Sequence, residues 1–206
     1  MLDYVNGALR ISLVTFALCG FAYPLAVTAV GQLFMPYRAN GSVVEDAGGR
    51  IIGSQLIGQR WTGPQWFHGR PSATVSLDPT DPTKTVAAPY NAANTTASNL
   101  GPTSAVLRDR LTADRKALEQ AAPELAGEAL PADMLTASAS GLDPDISPAN
   151  ASLQVVRVAR ARGVPPERIQ ALVEQHITPR SFGIFGEPRV NVLQLNLALE
   201  KALPSK

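Results

Sequence analysis

Residues able to do chemistry are sparse in this chain. Two histidines lie far apart, His68 in an aromatic loop and His176 on the apolar side of a predicted helix. With no His-x-x-x-His spacing and a single cysteine, Cys19, they offer no ligand set for zinc or another transition metal. Each reads as a satisfied structural histidine. A serine nucleophile needs a strained elbow such as Gly-x-Ser-x-Gly, and "SASG" at 138–141 only touches that pattern. Ser138 and Ser140 are therefore the nucleophiles of an alternative reading, a membrane-tethered extracytoplasmic serine hydrolase. No Gly-x-x-x-x-Gly-Lys-Ser/Thr loop is present to cradle a nucleotide phosphate. The pairs Asp78-Pro79 and Asp81-Pro82 lack the glycine and closing glutamate of a calcium loop and read as turns. No catalytic, cofactor-binding or metal-ligating set is expected.

Six other residues are candidates for a binding role. Asp143 and Asp145 stand in "TASASGLDPDISPANASLQVVRVARARG", residues 136–163, where a small-residue loop runs into a helix carrying three arginines. Carboxylates are favoured before a helix N-terminus and cations near its C-terminus, which accounts for these acids and for Arg160 and Arg162. Alternatively, the two carboxylates raise the local concentration of a cation at a pore mouth. Trp61 and Trp66 lie close together beside Phe67 and read as packing of a loop on the core, or as partner-binding anchors. Arg157 and Arg160 share the solvent face of the helix and are candidate partner-facing residues.

The elements that must position these residues follow from periodicity. Ser147 caps the three-arginine helix, Pro148 suits its first position and Gly163 its exit, with Ala151, Val155, Val158 and Ala159 on the buried stripe. Residues 103–122 form a helix with Leu107, Leu111 and Leu118 on one side, stopped by Pro123. A third helix covers 166–177 with Ile169, Leu172, Val173 and Ile177 inward. Residues 189–203 begin as a strand and continue as a helix capped by Asn191, with Val192, Leu195 and Leu199 inward; alternating leucines keep a strand open. Residues 42–44 and 50–52 form a hairpin around Asp46-Ala47-Gly48-Gly49. Residues 71–104, rich in Pro, Asn, Thr and Ser, form a long loop.

The first part of the chain has a different character. Between Ile11 and Tyr37 there is no charged residue, and a helix of that length reaches roughly 40 Å, beyond the ~30 Å hydrocarbon core of a bilayer. Arg10 and Arg38 bracket it, and Pro24 bends it without ending it. A cleaved signal peptide, with Val27-Thr28-Ala29 as its site, is the rival reading, but apolarity continues past that point to Phe34. Cys19 follows Leu18 instead of a small residue and is a packing residue, not a lipid anchor. Basic residues are nearly balanced on the two sides of the span; the nine residues before it and the bulk after it place the N-terminus inside. The expected organisation is a short cytoplasmic N-terminus at 1–9, a transmembrane helix at 10–35 and an extracytoplasmic domain at 36–206. The fold class is α+β: one N-terminal transmembrane helix, then a mixed α/β domain with a small, mostly antiparallel sheet.

Composition agrees. The chain has 206 residues, 45% of them hydrophobic and 17% charged, with a formal net charge of +1, as for one modest domain plus an apolar segment. Arginines scattered among acids provide no concentrated positive surface for nucleic acid. One cysteine forms no intramolecular disulfide, and the redox compartment is not legible. Three Asn-x-Ser/Thr triplets, at Asn40, Asn94 and Asn150, are of the kind such compositions produce by chance.

A resemblance joins these pieces. "LPADMLTASASGLDPDISPANASLQVVRVARARG" resembles the signature region of the C chain of the Kdp potassium-transporting ATPase, the high-affinity bacterial potassium pump. Three further stretches match in order: "GSQLIGQRWTGPQWFHGRPSA", "SNLGPTSAVL" and "FGEPRVNVLQLNLALEKAL". With the N-terminal span they cover nearly the whole chain. Ala139 stands where the family usually has glycine, Asp145 where it usually has histidine, and "NTTASNLG" replaces a glycine-richer run. The resemblance implies an accessory, non-catalytic subunit of the inner membrane. Its partners are a potassium-conducting channel-like chain and a P-type chain that hydrolyses ATP. In the family the C chain is described as a catalytic chaperone raising the ATP affinity of the P-type chain; ATP and potassium are handled by the assembled complex. The phosphorylation motif Asp-Lys-Thr-Gly-Thr is absent here.

Overall fold

The structure, a computed structural model, describes residues 1–46 and 48–204. The chain divides into two compact units, Met1–Ile52 and Gly53 onward.

In the first unit, α1 (Leu2–Ala17) and α2 (Tyr23–Phe34) are joined without a break by one π-helical turn, Leu18–Ala22. The cause lies in the sequence. Pro24 has no N–H to donate and its ring crowds the carbonyl one turn back, so a wider turn lets the helix run through it. Tyr23 N–H donates to Leu18 O across that turn. The resulting 33-residue helix, Leu2–Phe34, is long and apolar enough to cross a membrane, and none of its most apolar window is buried by protein. It starts eight residues earlier than the expected 10–35. After a short α3 (Pro36–Ala39), β1 (Val43–Glu45) and β2 (Ile51–Ser54) form a two-stranded sheet, each starting one residue later than predicted and β2 ending two later. In the predicted turn, Asp46 O accepts from Gly49 N at 3.0 Å, and Ala47 lies outside the described residues.

The second unit is a mixed α/β domain with small antiparallel sheets. Within 71–104, read from sequence as a loop, the structure has a hairpin of β3 (Val75–Leu77) and β4 (Thr85–Ala87), with Val75 opposite Ala87. Three-residue strands are too short to register as a period. Its connection holds the two Asp-Pro turns, Asp78 and Asp81 each accepting from the N–H and hydroxyl of the threonine two residues on. Those bonds hold both carboxyls below the ordinary carboxylate range.

Helix α4 (Ala105–Ala121) starts at its Ser104 cap and buries no residue fully. It ends before a short 3₁₀ turn at Pro123–Leu125 and the single-turn α5 (Ala132–Leu135). There Ala122, Leu125 and Met134 form a small apolar cluster with Leu118 and Leu153. The main core lies under α6 (Pro148–Arg162), α7 (Pro166–Gln175) and α8 (Val192–Ala202), with Val155, Val158, Ile169, Val173, Leu195 and Leu199 at its centre. A three-stranded antiparallel sheet closes it, in the order β5 (Asp145–Ile146), β7 (Arg189–Asn191), β6 (Ile177–Thr178). Val190 is the shared partner of Ile146 and Ile177.

The caps of α6 are those expected from its sequence. Ser147 Oγ accepts from Asn150 N at 3.1 Å, and Gly163 sits at φ 65, a left-handed exit that glycine adopts without steric cost. Asn191 likewise caps α8, accepting from Gln194 N at 3.1 Å, which decides between the strand and helix readings of its leucines. The third helix is shorter than predicted. It stops at Gln175, and Ile177 is in β6, because Thr178 precedes Pro179 and is held extended.

Candidate functional site

The loop ahead of α6 places Asp143 and Asp145 on neighbouring but differently engaged sites. Asp143 Oδ2 accepts from Arg70 Nη1 at 3.0 Å, and its Oδ1 accepts from Asp145 N at 3.0 Å. Asp145 lies in β5, where Oδ2 meets Arg189 Nε at 3.1 Å and Oδ1 accepts from Asn191 Nδ2 at 3.2 Å. Burial pushes the Asp145 carboxyl above its ordinary range, a shift that Asn191 and Arg189 only partly offset and the Asp143 charge adds to. The loop therefore presents paired charge. Neither carboxylate meets the helix N-terminus. That place belongs to Asp133, which accepts from Ser147 N at 2.7 Å, Ser147 Oγ at 3.0 Å and Asn150 Nδ2 at 3.0 Å.

The same loop is knitted to the segment 58–96. Ser72 Oγ donates to Gly141 O at 2.7 Å, and Tyr90 Oη donates to Arg70 O at 2.7 Å. Burial, reinforced by the Asp143 charge and opposed by Arg70, pushes the Tyr90 hydroxyl up to about 12. Gly141, at φ 70, has no room for a side chain, since a Cβ would come within 2.5 Å of Thr74 Cγ2 and 2.8 Å of Thr96 O.

Two buried amides hold the next stretch. Asn196 Oδ1 accepts from Phe67 N and its Nδ2 donates to Phe67 O, both at 2.9 Å. Gln154 Oε1 accepts from His68 N at 2.8 Å and its Nε2 donates to His68 O at 3.0 Å and to Asn150 Oδ1 at 2.7 Å. Each amide thus serves one residue of an irregular segment as a neighbouring strand would, satisfying backbone groups that burial would otherwise leave unpaired. These residues were missed in the sequence. The signal was present, because Asn196 falls four residues after Val192 and three before Leu199, on the buried stripe of α8, where an amide must have a partner.

Of the four residues expected to face a partner, Arg160 alone is exposed, and its Nη2 meets Glu124 Oε2 at 3.1 Å. Arg157 is turned back, donating to Pro64 O at 2.8 Å and Gln154 Oε1 at 2.7 Å, and desolvation lowers its guanidinium to about 10 despite the charge of Glu124. Trp61 and Trp66 pack on each other with ring centres 5.1 Å apart. Arg162, whose side chain is fully buried, lies over Trp66 at 4.7 Å and donates to Gln65 O, Glu200 Oε2 and Leu203 O. From sequence Arg162 was only a helix-end cation. In the fold it ties the end of α8 to the tryptophan loop.

Both histidines face backbone carbonyls. His68 Nε2 lies 2.9 Å from Gly63 O and His176 Nδ1 lies 2.8 Å from Leu172 O. Burial, then the charge of Arg157, lower the His68 imidazole, with the Gly63 carbonyl opposing. Ser138 is buried, its Oγ accepting from Gly141 N at 2.8 Å, and Ser140 Oγ accepts from Leu142 N at 3.1 Å. Both serines are used in turning the chain, so the hydrolase alternative has no support. Among the described residues no group of three metal-ligating side chains comes together.

The chain matches the family model described as "K+-transporting ATPase, c chain" over residues 5–201. A potassium-transporting ATPase KdpC subunit of Rhodopseudomonas palustris is 54% identical over 204 residues, covering 99% of this chain and all of the relative. Subunits of the same description from Methylorubrum extorquens and Bradyrhizobium diazoefficiens are 53% and 52% identical, covering 97% and 98% of this chain and the same shares of their own. With similarity of this extent, from the apolar N-terminal helix through α8, the chain belongs to the KdpC family, the c chain of potassium-transporting ATPases.

Proposed function

We propose that this chain is the non-catalytic accessory subunit of an ATP-driven, high-affinity potassium uptake pump, needed for its assembly and activity. The observation that carries this is similarity over nearly the full chain to subunits named for potassium transport. The partners are a potassium-conducting channel-like chain and a P-type chain that hydrolyses ATP and is phosphorylated. This chain binds neither ATP nor potassium by itself and acts on the ATP affinity of the P-type chain through the complex. It crosses the bacterial inner membrane once, near residues 10–35, with 1–9 cytoplasmic and 36–206 extracytoplasmic. The imbalance in length on the two sides of the helix supports that orientation.

Removing the chain from a bacterium that depends on this pump should abolish growth at low external potassium. Adding it back should restore both growth and potassium-stimulated ATP hydrolysis by the purified complex. Full growth without the chain refutes the proposal. Titration calorimetry of the isolated chain in detergent tests the ATP assignment, because micromolar binding without partners contradicts it. A thiol-reactive reagent that does not cross membranes should label a cysteine introduced at the exposed Ala129 in intact cells; labelling only after lysis reverses the orientation.

A further inference from the structure

Between α4 and α6 the second unit holds a cavity of about 90 Å³. Its lining is apolar at Leu118, Leu125, Met134 and Leu153 and polar at His68 and Arg157. A more open groove shares His68, Leu118 and Met134 with it and continues along Pro71 and Ala117. At ~30 Å³ for a water-sized group, the cavity has room for about three carbon atoms with their hydrogens. Helix α4 buries none of its 17 residues fully, so its apolar face is incompletely packed. Walls without partner atoms forfeit dispersion contacts, which an apolar group in the cavity would restore.

Arg157 distinguishes this cavity from a packing defect. Its guanidinium carries five N–H groups. Among the described residues its bonds go to two neutral oxygens, Pro64 O at 2.8 Å and Gln154 Oε1 at 2.7 Å. The carboxylate charge that acts on it, Glu124, is already paired with Arg160 at 3.1 Å. Along the groove, Arg70 is paired with Asp143 at 3.0 Å and Asp114 with Arg110 at 3.6 Å. His68 adds no charge at neutral pH, because burial favours its neutral ring. The charges around the cavity therefore cancel in pairs and leave Arg157 as one uncompensated cation, held partly out of water, where a counter-ion is worth most.

These two features define a ligand. The apolar walls select a short carbon chain, and a single guanidinium fork selects one planar anionic group, which a carboxylate matches with two parallel bonds. A phosphate carries more charge and a third acceptor oxygen, and calls for a cluster of cations that the pairing of Arg70 and Arg160 removes. We propose that the cavity between α4 and α6 is a binding site for a small amphiphilic carboxylate, its carboxylate on Arg157 and its chain among Leu118, Leu125, Met134 and Leu153.

The probe is hexanoate, titrated by calorimetry at neutral pH into the full chain in lipid nanodiscs, with empty nanodiscs as the blank and hexanol as the neutral counterpart. Wild type should bind hexanoate saturably and roughly tenfold or more tightly than hexanol, the difference expected of a charge-assisted bond. Leu118→Trp fills the cavity and leaves Arg157 in place; it should abolish hexanoate binding with helical circular dichroism retained. Arg157→Gln should weaken hexanoate binding about tenfold and leave hexanol binding unchanged. No saturable heat with wild type, equal affinity for hexanoate and hexanol, or undiminished hexanoate binding by folded Leu118→Trp each overturns the proposal. Should Leu118→Trp fail to fold, the wild-type comparison of hexanoate with hexanol decides by itself.

Discussion

Two stretches of the second unit invert the usual placement of polar and apolar groups. Around Phe67 and His68, the amides of Asn196, Gln154 and Asn150 lie in the interior. At the β6–β7 apex, Phe182, Ile184 and Phe185 lie in water. The interior amides are fully used, each bonded at 2.7–3.0 Å, so their polarity stabilises one arrangement of an irregular segment. The apolar apex touches little of its own domain. Where a group finds its partner tells which task it serves: the clasp belongs to folding, and the apex contributes little to it.

The contrast is tested most severely at Asn196. Replacing it with alanine leaves Phe67 N and O buried and unpaired, which should cost roughly 3–5 kcal/mol, measured by urea unfolding of the full chain in detergent. A loss below about 1 kcal/mol would mean that the clasp is not what holds the segment. Next in size is Arg162→Lys, which keeps a charge but loses the fork that reaches Gln65 O, Glu200 and Leu203 O and the plane that covers Trp66. About 2 kcal/mol of stability should be lost, visible as a lower melting temperature with retained helical circular dichroism.

A pH scan gives a smaller signal. Burial lowers the folded-state pKa of His68 below the ordinary 6.5, so the neutral form is favoured in the fold and the unfolded chain binds more protons. Stability from this site is present above pH 6.5 and lost as pH falls below it. Melting temperatures of wild type and His68→Gln at pH 7.5 and 5.5 should converge at the lower pH; a constant gap refutes the assignment. Asp145→Asn should be nearly neutral for stability at pH 7, because burial already disfavours the charged carboxylate that Arg189 meets. A loss above about 1.5 kcal/mol would show the ion pair to be the stronger term. Phe182→Asn closes the series with a change near zero or a gain of at most about 1 kcal/mol, because asparagine accepts the left-handed backbone at this position.

The helices that carry the clasp were legible in the sequence, whereas the clasp itself was not. Ser147, Pro148 and Gly163 announced α6 because caps act within four residues of backbone, and Asn191 announced α8 for the same reason. The arginine partners of Asp143 and Asp145 were hidden by sequence distance, Arg70 lying 73 residues before Asp143. Asp133 lies 14 residues before Ser147, and only the path of the intervening loop brings it to the cap. The inward turn of Arg157 was hidden likewise, since its partner Pro64 is 93 residues away.

By itself the sequence determined the apolar helix through Pro24, the order and caps of the later helices, the small antiparallel sheet and the family. These depend on hydrophobic period, local hydrogen bonds and uninterrupted similarity, all of which are read along the chain. The tertiary structure alone decided that Asp143 and Asp145 are paired with arginines, that two helix amides stand in for strand neighbours, and that Phe182 faces water. Burial and charge pairing are properties of what lies across space, and neighbours along the chain do not specify them.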